Sequence, residues 1–276
     1  AFNALNYGDD FDLKFLVFGL NKNRAKEIAQ NMSAVYELLP GREYISQVGS
    51  YVQDFDYDQT NQFMTSSPLL PDYRNSNLLN LADQFHQTHD NWLPQSASVY
   101  NLMGCREYDT IGSFKMDDDG SIDINSVNGD GTVPLISASQ VPGNDYFVSY
   151  PVTKINHLSL ISDDRAIDFL FGLVSSDSEP ILSNGFYKTS AECDQIIEQV
   201  KRLRFSTHSP VNLHVYDTLG NHTGLTTDGN IETNISDSSF TQVGDNTFIF
   251  VPEGEYSVSI DAYATGSFDF KVKELN

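Results

Sequence analysis

Apolar residues in the N-terminal two thirds of the chain recur at helical spacing in some segments and cluster like strands in others. Helical spacing predicts helices over residues 23–39, 77–93 and 165–174. Short apolar runs at residues 99–105 and 146–152 predict strands. Because strands and helices follow one another in this way, we expect an α/β layered fold for this part of the chain.

Two segments between these elements have patterns of their own. Residues 113–116 and 121–124 alternate around an Asp-Gly step, which predicts a β-hairpin. Residues 42–75 show no periodicity and are interrupted by Pro68 and Pro71. A stretch of this length without a repeating pattern is usually a functional loop, so we expect an irregular, lid-like segment there.

The pattern changes after Ser175. Residues 175–180 have the Ser-, Asp- and Pro-containing composition of a linker. Residues 190–204 predict a helix. From residue 211 onward, apolar and polar positions alternate between turn signals, which predicts a small antiparallel β-sandwich of about 70 residues.

The charge of the chain excludes several classes of partner. Its formal net charge is −22, from 16 basic and 38 acidic residues in a length of 276. This argues against nucleic acid and anionic lipid, because both attract clustered Lys and Arg. No apolar run reaches the roughly 18 residues of a membrane span. The chain begins at Ala1 without a recognisable signal peptide, so we expect a mature or truncated product.

Cys105 and Cys193 are the two cysteines of the chain. They can pair as one disulfide or remain as two buried thiols, and their number alone does not decide between these states. Free cysteine commonly packs as a small hydrophobic residue, so two buried thiols are the favoured expectation.

Asp130 and His157 are the candidate acid and base. Asp130 lies between two glycines after a strand-like run, and glycines let the backbone turn tightly enough to bring a carboxylate to a sheet edge. His157 follows the next predicted strand, and acid before histidine is the order of α/β hydrolases. The alternative is structural, because Asp-Gly-Thr turns are common and single histidines often have no chemical role.

Four strings resemble motifs of the lecithin–cholesterol acyltransferase-like family. Residues 128–134, NGDGTVP, resemble its acid motif, and residues 156–158, NHL, resemble its histidine motif. Residues 31–40, which end in Leu-Leu-Pro, look like the helix that follows its nucleophile. Residues 100–104 resemble the strand that leads to its acid. The resemblance covers residues 1–175.

Members of this family are α/β hydrolases that act on acyl esters, often of lipids, through a serine nucleophile. The resemblance implies that Asp130 is the triad acid and His157 the general base. It also implies a nucleophile elbow, Gly-x-Ser-x-Gly, which occurs nowhere in the 276 residues. We therefore expect a partial enzyme, inactive alone, whose missing N-terminal half carries the serine and the first oxyanion-hole donor.

The predicted fold class is α/β: the C-terminal part of an α/β-hydrolase fold, followed by a small all-β sandwich module. Residues 1–178 form the partial catalytic domain, with residues 42–75 as its lid-like segment. Residues 179–205 form a linker and helix, and residues 206–276 form the β-sandwich. No cofactor and no metal are expected.

Two further groups of polar residues are weak candidates for metal ligands. Asp83, His86 and His89 have helical spacing and can share one face, but a solvated polar face is the simpler interpretation. A second series alternates like a calcium loop, although its glycine is misplaced and the final Glu is absent. A hairpin turn explains that series better; its members are Asp117, Asp119, Ser121 and Asp123.

Two functions from different classes remain. The first is the acid-and-histidine portion of a serine esterase, lipase or acyltransferase acting on acyl esters. The second is a non-catalytic interaction or surface-binding protein, in which a degenerate hydrolase scaffold carries the β module. The expected partners are an acyl ester or lipid substrate, the missing N-terminal half, and a second copy of the chain paired through an exposed sheet edge. We expect a secreted or cell-surface location.

Overall fold

The structure is a computed structural model, and it describes residues 1–8, 21–70, 75–90, 92–149, 156–175, 182, 185–197, 201–208 and 210–275. Contacts divide the chain into two compact units, of which the first comprises residues 1–90, 113–124 and 202–275, and the second residues 91–112 and 125–201. Most of the predicted linker lies outside the described residues. The predicted three-part organisation stays a prediction, because contact density does not show which parts fold independently.

The described helices and strands follow one another along the chain with these bounds: α1 Phe2–Tyr7, α2 Lys22–Ala29, α3 Ser33–Glu37, α4 Arg42–Val48, α5 Tyr57–Ser66, α6 Ser76–His89, β1 Tyr100–Gly104, β2 Arg106–Met116, β3 Ile122–Gly129, α7 Leu135–Ala138, β4 Asn144–Val148, α8 His157–Leu160, α9 Asp164–Ser175, β5 Phe186–Tyr187, α10 Ser190–Ile197, β6 Arg202–His208, β7 Val211–Asp217, β8 His222–Leu225, β9 Ile231–Thr233, β10 Ser239–Val243, β11 Asn246–Pro252, β12 Tyr256–Ala262 and β13 Asp269–Leu275.

The helices α1 to α6 belong to the first unit, and they match the sequence pattern only in part. The predicted helix over 77–93 is confirmed as α6. The predicted helix over 23–39 is instead two helices, because Met32 takes an extended conformation between α2 and α3, with φ −105° and ψ 114°. The helical spacing of apolar residues continues through Met32, so it does not reveal that the helix is interrupted there.

The irregular structure predicted for residues 42–75 is wrong, since α4 and α5 lie within it. In α5 the buried positions are Tyr57, Thr60, Phe63 and Met64. The spacing is helical, but a polar Thr occupies one apolar position and masks the period. A capping box between Asp56 and Gln59 starts this helix.

Residues 202–275 form two four-stranded antiparallel sheets, in the orders β10-β11-β6-β13 and β12-β7-β8-β9. Apolar residues from both sheets share one core, which contains Phe205, Leu213, Val215, Ile235, Ile249 and Val251. Two sheets that pack through a common apolar layer form a β-sandwich. Its first strand begins at Arg202, so the helix predicted to reach residue 204 is wrong for residues 202–204; the described helix α10 spans Ser190–Ile197.

The outward face of β6 is also covered. Arg204 is 3% exposed, and it donates to the carboxylate of Asp123 and the carbonyl of Ile124, each at 2.6 Å. The backbone N–H of Ile122 donates to Oδ1 of Asn246 at 2.9 Å. The tip of the hairpin between β2 and β3 therefore packs on the sandwich within the first unit.

The hairpin predicted around the Asp-Gly step is confirmed, since β2 and β3 pair as a two-stranded sheet on either side of it. Its turn is closed by a hydrogen bond from the N–H of Asp117 to the carbonyl of Ser121, at 2.9 Å. Gly120 has a φ of 85° in this turn. That left-handed conformation is the reason for glycine there.

A three-stranded sheet, in the order β1-β4-β5, forms the framework of the second unit. One apolar cluster contains Tyr146, Val148, Phe169 and Phe186, so α9 packs on one side of β4. A second cluster contains Met103, Cys105, Leu135, Phe147 and Cys193, so α7 and α10 pack on the other side.

The predicted fold class, an α/β-hydrolase portion, is wrong. The structure is a strand-rich mixture with 13 strands in four small sheets among the described residues. Only β1 and β4 pair in parallel among the described strands, and every other strand pair with a described register is antiparallel. An α/β-hydrolase sheet needs a series of parallel strands joined by crossover helices. Here the alternation of strand and helix does not produce such a series, and the larger sheets are arranged like a β-sandwich.

Candidate active site

Two glycines shape the loop that carries Asp130. A Cβ added to Gly129 would lie 2.3 Å from the carbonyl oxygen of Val133 and 2.7 Å from Oγ1 of Thr110. Gly131 has a φ of 88°, a conformation that is strained for residues with a Cβ. The backbone therefore requires glycine on both sides of Asp130, and the tight loop begins where β3 ends.

Hydrogen bonds hold the Asp130 carboxylate in one orientation. Its Oδ1 accepts from the backbone N–H groups of Thr132 and Val133, at 3.0 and 2.7 Å. The hydroxyl oxygen of the buried Thr110 accepts from the N–H of Gly131 at 2.8 Å, which anchors the loop to β2. The Asp130 side chain is 8% exposed. Its second oxygen, Oδ2, faces His157.

His157 is the first residue of α8, a short helix started by a capping box. Oδ1 of Asn156 accepts from the N–H of Ser159 at 2.8 Å, and the Ser159 hydroxyl accepts from the N–H of Asn156 at 2.7 Å. The backbone N–H of His157 donates to the carbonyl of Asp130 at 3.0 Å. These bonds fix the start of α8 against the acid loop.

The Nδ1 atom of His157 lies 2.9 Å from Oδ2 of Asp130. The two candidate side chains therefore lie within hydrogen-bond distance of each other. An ionised carboxylate only accepts hydrogen bonds, so Nδ1 carries the proton and the neutral ring keeps a lone pair on Nε2. The His157 side chain is 49% exposed, in contrast to the buried Asp130. The imidazole is accordingly oriented from one side and accessible from the other.

The pair lies in the wall of an apolar cavity of about 280 Å³. Its lining residues are Leu102, Met103, Gly104, Asp130, Val133, Ala138, His157, Leu158, Leu160 and Ile161. Asp130 and His157 are the ionisable members of this lining. Sequence analysis missed the apolar members, although Leu158, Leu160 and Ile161 follow His157 directly in the sequence. Their proximity to the histidine was the available signal.

Cys105 and Cys193 form a disulfide, so the expectation of two thiols is wrong. Cys105 follows Gly104 of the cavity lining, and Cys193 lies in α10. One residue further along α10, Asp194 accepts a hydrogen bond from Nδ2 of Asn128 at 2.9 Å. The disulfide of Cys193 therefore joins α10 to the residue that follows β1. The hydrogen bond of Asp194 joins α10 to β3, the strand that leads to Asp130.

The first candidate metal group is divided among separate partners. Asp83 accepts from the Tyr57 hydroxyl at 2.7 Å. His86 Nδ1 lies 2.8 Å from Asp90 Oδ1, and His89 Nδ1 lies 3.0 Å from a backbone carbonyl one turn earlier. Among the described residues, no group of three or more His, Cys, Asp or Glu side chains is arranged to hold a metal ion.

Three members of the second candidate group, Asp117, Asp119 and Ser121, have the local role that the sequence favoured, whereas Asp123 accepts from Arg204. The Ser121 hydroxyl donates to Oδ2 of Asp117 at 3.2 Å, and the Ser121 N–H donates to Oδ1 of Asp119 at 2.9 Å. Both carboxylates therefore accept from the turn of the β2–β3 hairpin.

No model of a known protein family matches the chain, and no curated protein and no solved structure is similar to it. The likeness to the lecithin–cholesterol acyltransferase-like family consequently rests on the sequence strings alone and stays a proposal.

A search of the helices in the described part of the chain finds none with the length and apolar character of a membrane span.

Proposed function

We propose that this chain supplies the acid and the general base of a serine-dependent acyl-transfer centre, which acts on acyl esters as an esterase, lipase or acyltransferase. The observation that supports this proposal best is the 2.9 Å contact between His157 Nδ1 and Asp130 Oδ2 beside an apolar cavity. A buried, hydrogen-bonded carboxylate behind a half-exposed imidazole is the arrangement that nucleophile activation needs.

The proposed chemistry uses the two ring nitrogens of His157 for different tasks. Asp130 accepts the Nδ1 proton, fixes the tautomer and stabilises the imidazolium that forms during the reaction. Nε2 takes the proton of the serine hydroxyl as its oxygen attacks the ester carbonyl. His157 then gives this proton to the leaving alkoxide. Water or an alcohol then attacks the acyl-enzyme carbonyl as His157 takes its proton, and His157 returns this proton to the serine oxygen when the bond between that oxygen and the acyl carbon breaks.

The serine in this proposal comes from outside the 276 residues, because no Gly-x-Ser-x-Gly occurs within them. Among the described strands, β1 has β4 as its one neighbour, and the other edge of β1 is the proposed docking position for such a segment. A nucleophile-bearing segment or a second copy of the chain is the proposed occupant of this edge.

The lining of the cavity supports an apolar acyl group as the substrate. Apart from Asp130 and His157, its side chains are aliphatic or are those of Met, Ala and Gly. Apolar surface removed from water contributes about 25 cal/mol per Å² to binding. An acyl chain therefore fits the cavity better than a sugar or a charged group.

A secreted or cell-surface location remains the proposal for this chain. The Cys105–Cys193 disulfide supports it, because disulfides persist mainly in oxidising compartments.

A non-catalytic interaction role is the second candidate. Four apolar side chains on and next to α8 and in α9 are strongly exposed: Leu158 at 66%, Ile161 at 76%, Phe171 at 72% and Val174 at 87%. Exposed apolar groups of this kind mark contact surfaces. The same surface serves a catalytic partner segment equally well, so only activity separates the two candidates.

The test compares the 276-residue chain with the natural polypeptide extended upstream of Ala1 in the same reading frame. We expect the extended polypeptide to hydrolyse p-nitrophenyl butyrate faster than p-nitrophenyl acetate, and the chain alone to hydrolyse neither. An extended polypeptide without esterase or transferase activity would favour the interaction role. Hydrolysis by the chain alone that survives Asp130→Asn would show that other residues do the chemistry.

A further inference from the structure

Four ionisable side chains form a continuous row on the outward face of the sheet β12-β7-β8-β9. His214 Nδ1 lies 3.0 Å from His222 Nε2. On the far side of each ring stands a carboxylate: Glu232 Oε2 lies 2.5 Å from His222 Nδ1, and Asp261 Oδ2 lies 3.4 Å from His214 Nε2. The row thus joins side chains from all four strands of the sheet.

Strand register explains how the two histidines meet. His214 pairs with Gly224, and Gly224 pairs with Glu232, so these three positions lie in one row across the sheet. His222 lies two residue pairs away along β8, opposite Tyr216, on the same face of the sheet, and its ring reaches back over Gly224. A Cβ at Gly224 would lie 2.7 Å from His222 Nε2 and 3.2 Å from His214 Nδ1. Glycine is therefore required for the contact between the imidazoles.

The contacts of this row can hold a limited number of protons. The row contains three contacts between polar atoms: an ion-pair contact from Asp261 to His214 at 3.4 Å, and hydrogen-bond contacts from His214 to His222 and from His222 to Glu232. Two neutral imidazoles bring two protons, and one added proton occupies the third contact. A second added proton has no contact left, so two N–H groups would face each other across 3.0 Å.

We propose that His214 and His222 form a pH-sensitive clasp, which holds β7, β8, β9 and β12 together while the pair carries at most one added proton, and which opens when a second proton binds. The clasp is independent of the site around Asp130. Its only ligand is the proton, so a fall in pH is sufficient to open it.

Burial and the repulsion between two imidazolium rings oppose the second proton, whereas the carboxylates of Asp261 and Glu232 favour protonation. Both histidine side chains are 12% exposed. Burial lowers the pKa of His214, the Asp261 carboxylate opposes that shift, and His222 adds to it. By register, the other ionisable group on this face is Tyr216 of β7, whose ring stacks on His222 at 4.8 Å. No cation from the described strands of this sheet faces the pair.

The sign of the pH dependence follows from these states. Histidine in the unfolded chain has a pKa of about 6.5. Because the folded pair resists its second proton, the unfolded chain binds more protons as the pH falls below that value. The stabilising effect of the clasp therefore declines as the pH falls below about 6.5 and the second proton binds.

The experiment follows the histidine ring nitrogens of the ¹⁵N-labelled full chain by NMR between pH 8 and pH 4, together with backbone amide exchange. We expect His214 and His222 to share two titration steps separated by more than about one pH unit, a tenfold difference in proton affinity. Protection factors of the β7 and β8 amides, that is, exchange rates corrected for the intrinsic pH dependence of exchange, should fall below the second step. His89, which is exposed on α6, is the reference histidine in the same spectra.

Two variants separate the clasp from independent histidines. In His222→Gln, His214 should titrate in one step. Glu232→Gln keeps an acceptor but removes a charge, so the first step should move to lower pH while that of His89 does not move. The proposal is overturned if His214 and His222 of the unmodified chain titrate separately with the midpoint of His89, or if the protection factors of the β7 and β8 amides are unaffected by the second step.

Discussion

Asp130 and His157 are joined twice, once through their side chains and once through their backbones. The Nδ1–Oδ2 contact of 2.9 Å is accompanied by a 3.0 Å hydrogen bond from the N–H of His157 to the carbonyl of Asp130. The second bond does not depend on either side chain. Substitutions at these positions therefore test chemistry while the two loops keep their relative position.

Asp130→Asn should remove function while the fold is retained. Oδ1 of Asn can still accept from Thr132 and Val133, but its amide N–H₂ then faces His157 and favours the tautomer with the proton on Nε2. That tautomer cannot accept a proton from serine, and the expected loss in turnover of the extended enzyme is about 10⁴-fold. Ring-nitrogen NMR of His157 should show the change of tautomer. An unchanged tautomer would contradict the assigned role of Asp130.

Gly129→Ala should distort the acid loop. The new methyl carbon would stand 2.3 Å from the Val133 carbonyl, so backbone must move. Forcing a group into such a space costs about 1–3 kcal/mol of unfolding free energy. Gly254→Ala is the control, because its nearest neighbours are Tyr256 ring atoms at 3.3 Å or more. Equal unfolding free energies for the two variants, measured with urea, would argue against a tightly built loop.

Replacing both Cys105 and Cys193 with Ser should destabilise the second unit. The disulfide closes a loop with a sequence separation of 88, and removing such a bond typically costs about 2–5 kcal/mol. The unmodified chain in reductant should match the double variant in a urea titration. A double variant as stable as the oxidised chain would show that the apolar packing of α10 suffices.

Asp163 should make α9 sensitive to acid. The hydrogen bond from the Arg165 side chain, aided by the N–H of Ala166, lowers the pKa of Asp163 to about 2. Since the unfolded pKa is about 3.9, this stabilisation is complete above about pH 4 and is lost as the pH falls towards 2. Asp163→Asn should be less stable than the unmodified chain at pH 7, and the difference should shrink below pH 4. Urea titrations at pH 7 and pH 3 measure it, with Asp164→Asn as control.

Local features of the sequence were predicted well because their causes are local. The Asp-Gly step encodes the β2–β3 turn, and the glycines beside Asp130 encode its loop. Both depend on backbone conformations within a few residues. The proximity of Asp130 and His157, which are 27 residues apart, was instead inferred from the order of two motifs and their resemblance to those of a known family.

Strand pairing was not predictable in the same way. The strands β1 and β4 contain apolar residues and pair in parallel. Their sequences do not indicate how many further parallel strands the sheet contains. The start of β6 was missed because Arg202 and Arg204, at 1% and 3% exposure, are buried charged residues in a strand. Their burial depends on partners distant in sequence, such as Asp123. The Cys105–Cys193 pairing is likewise a contact between distant segments.

The central claim is that His157 is the general base of an acyl-transfer centre, and turnover of the extended polypeptide on p-nitrophenyl butyrate tests it most directly. We expect His157→Ala to lower kcat by about 10⁴-fold or more, because the members of such a centre act as a unit. His89→Ala, an exposed histidine on α6, should leave kcat unchanged. Turnover by His157→Ala equal to that of the unmodified polypeptide would contradict the account.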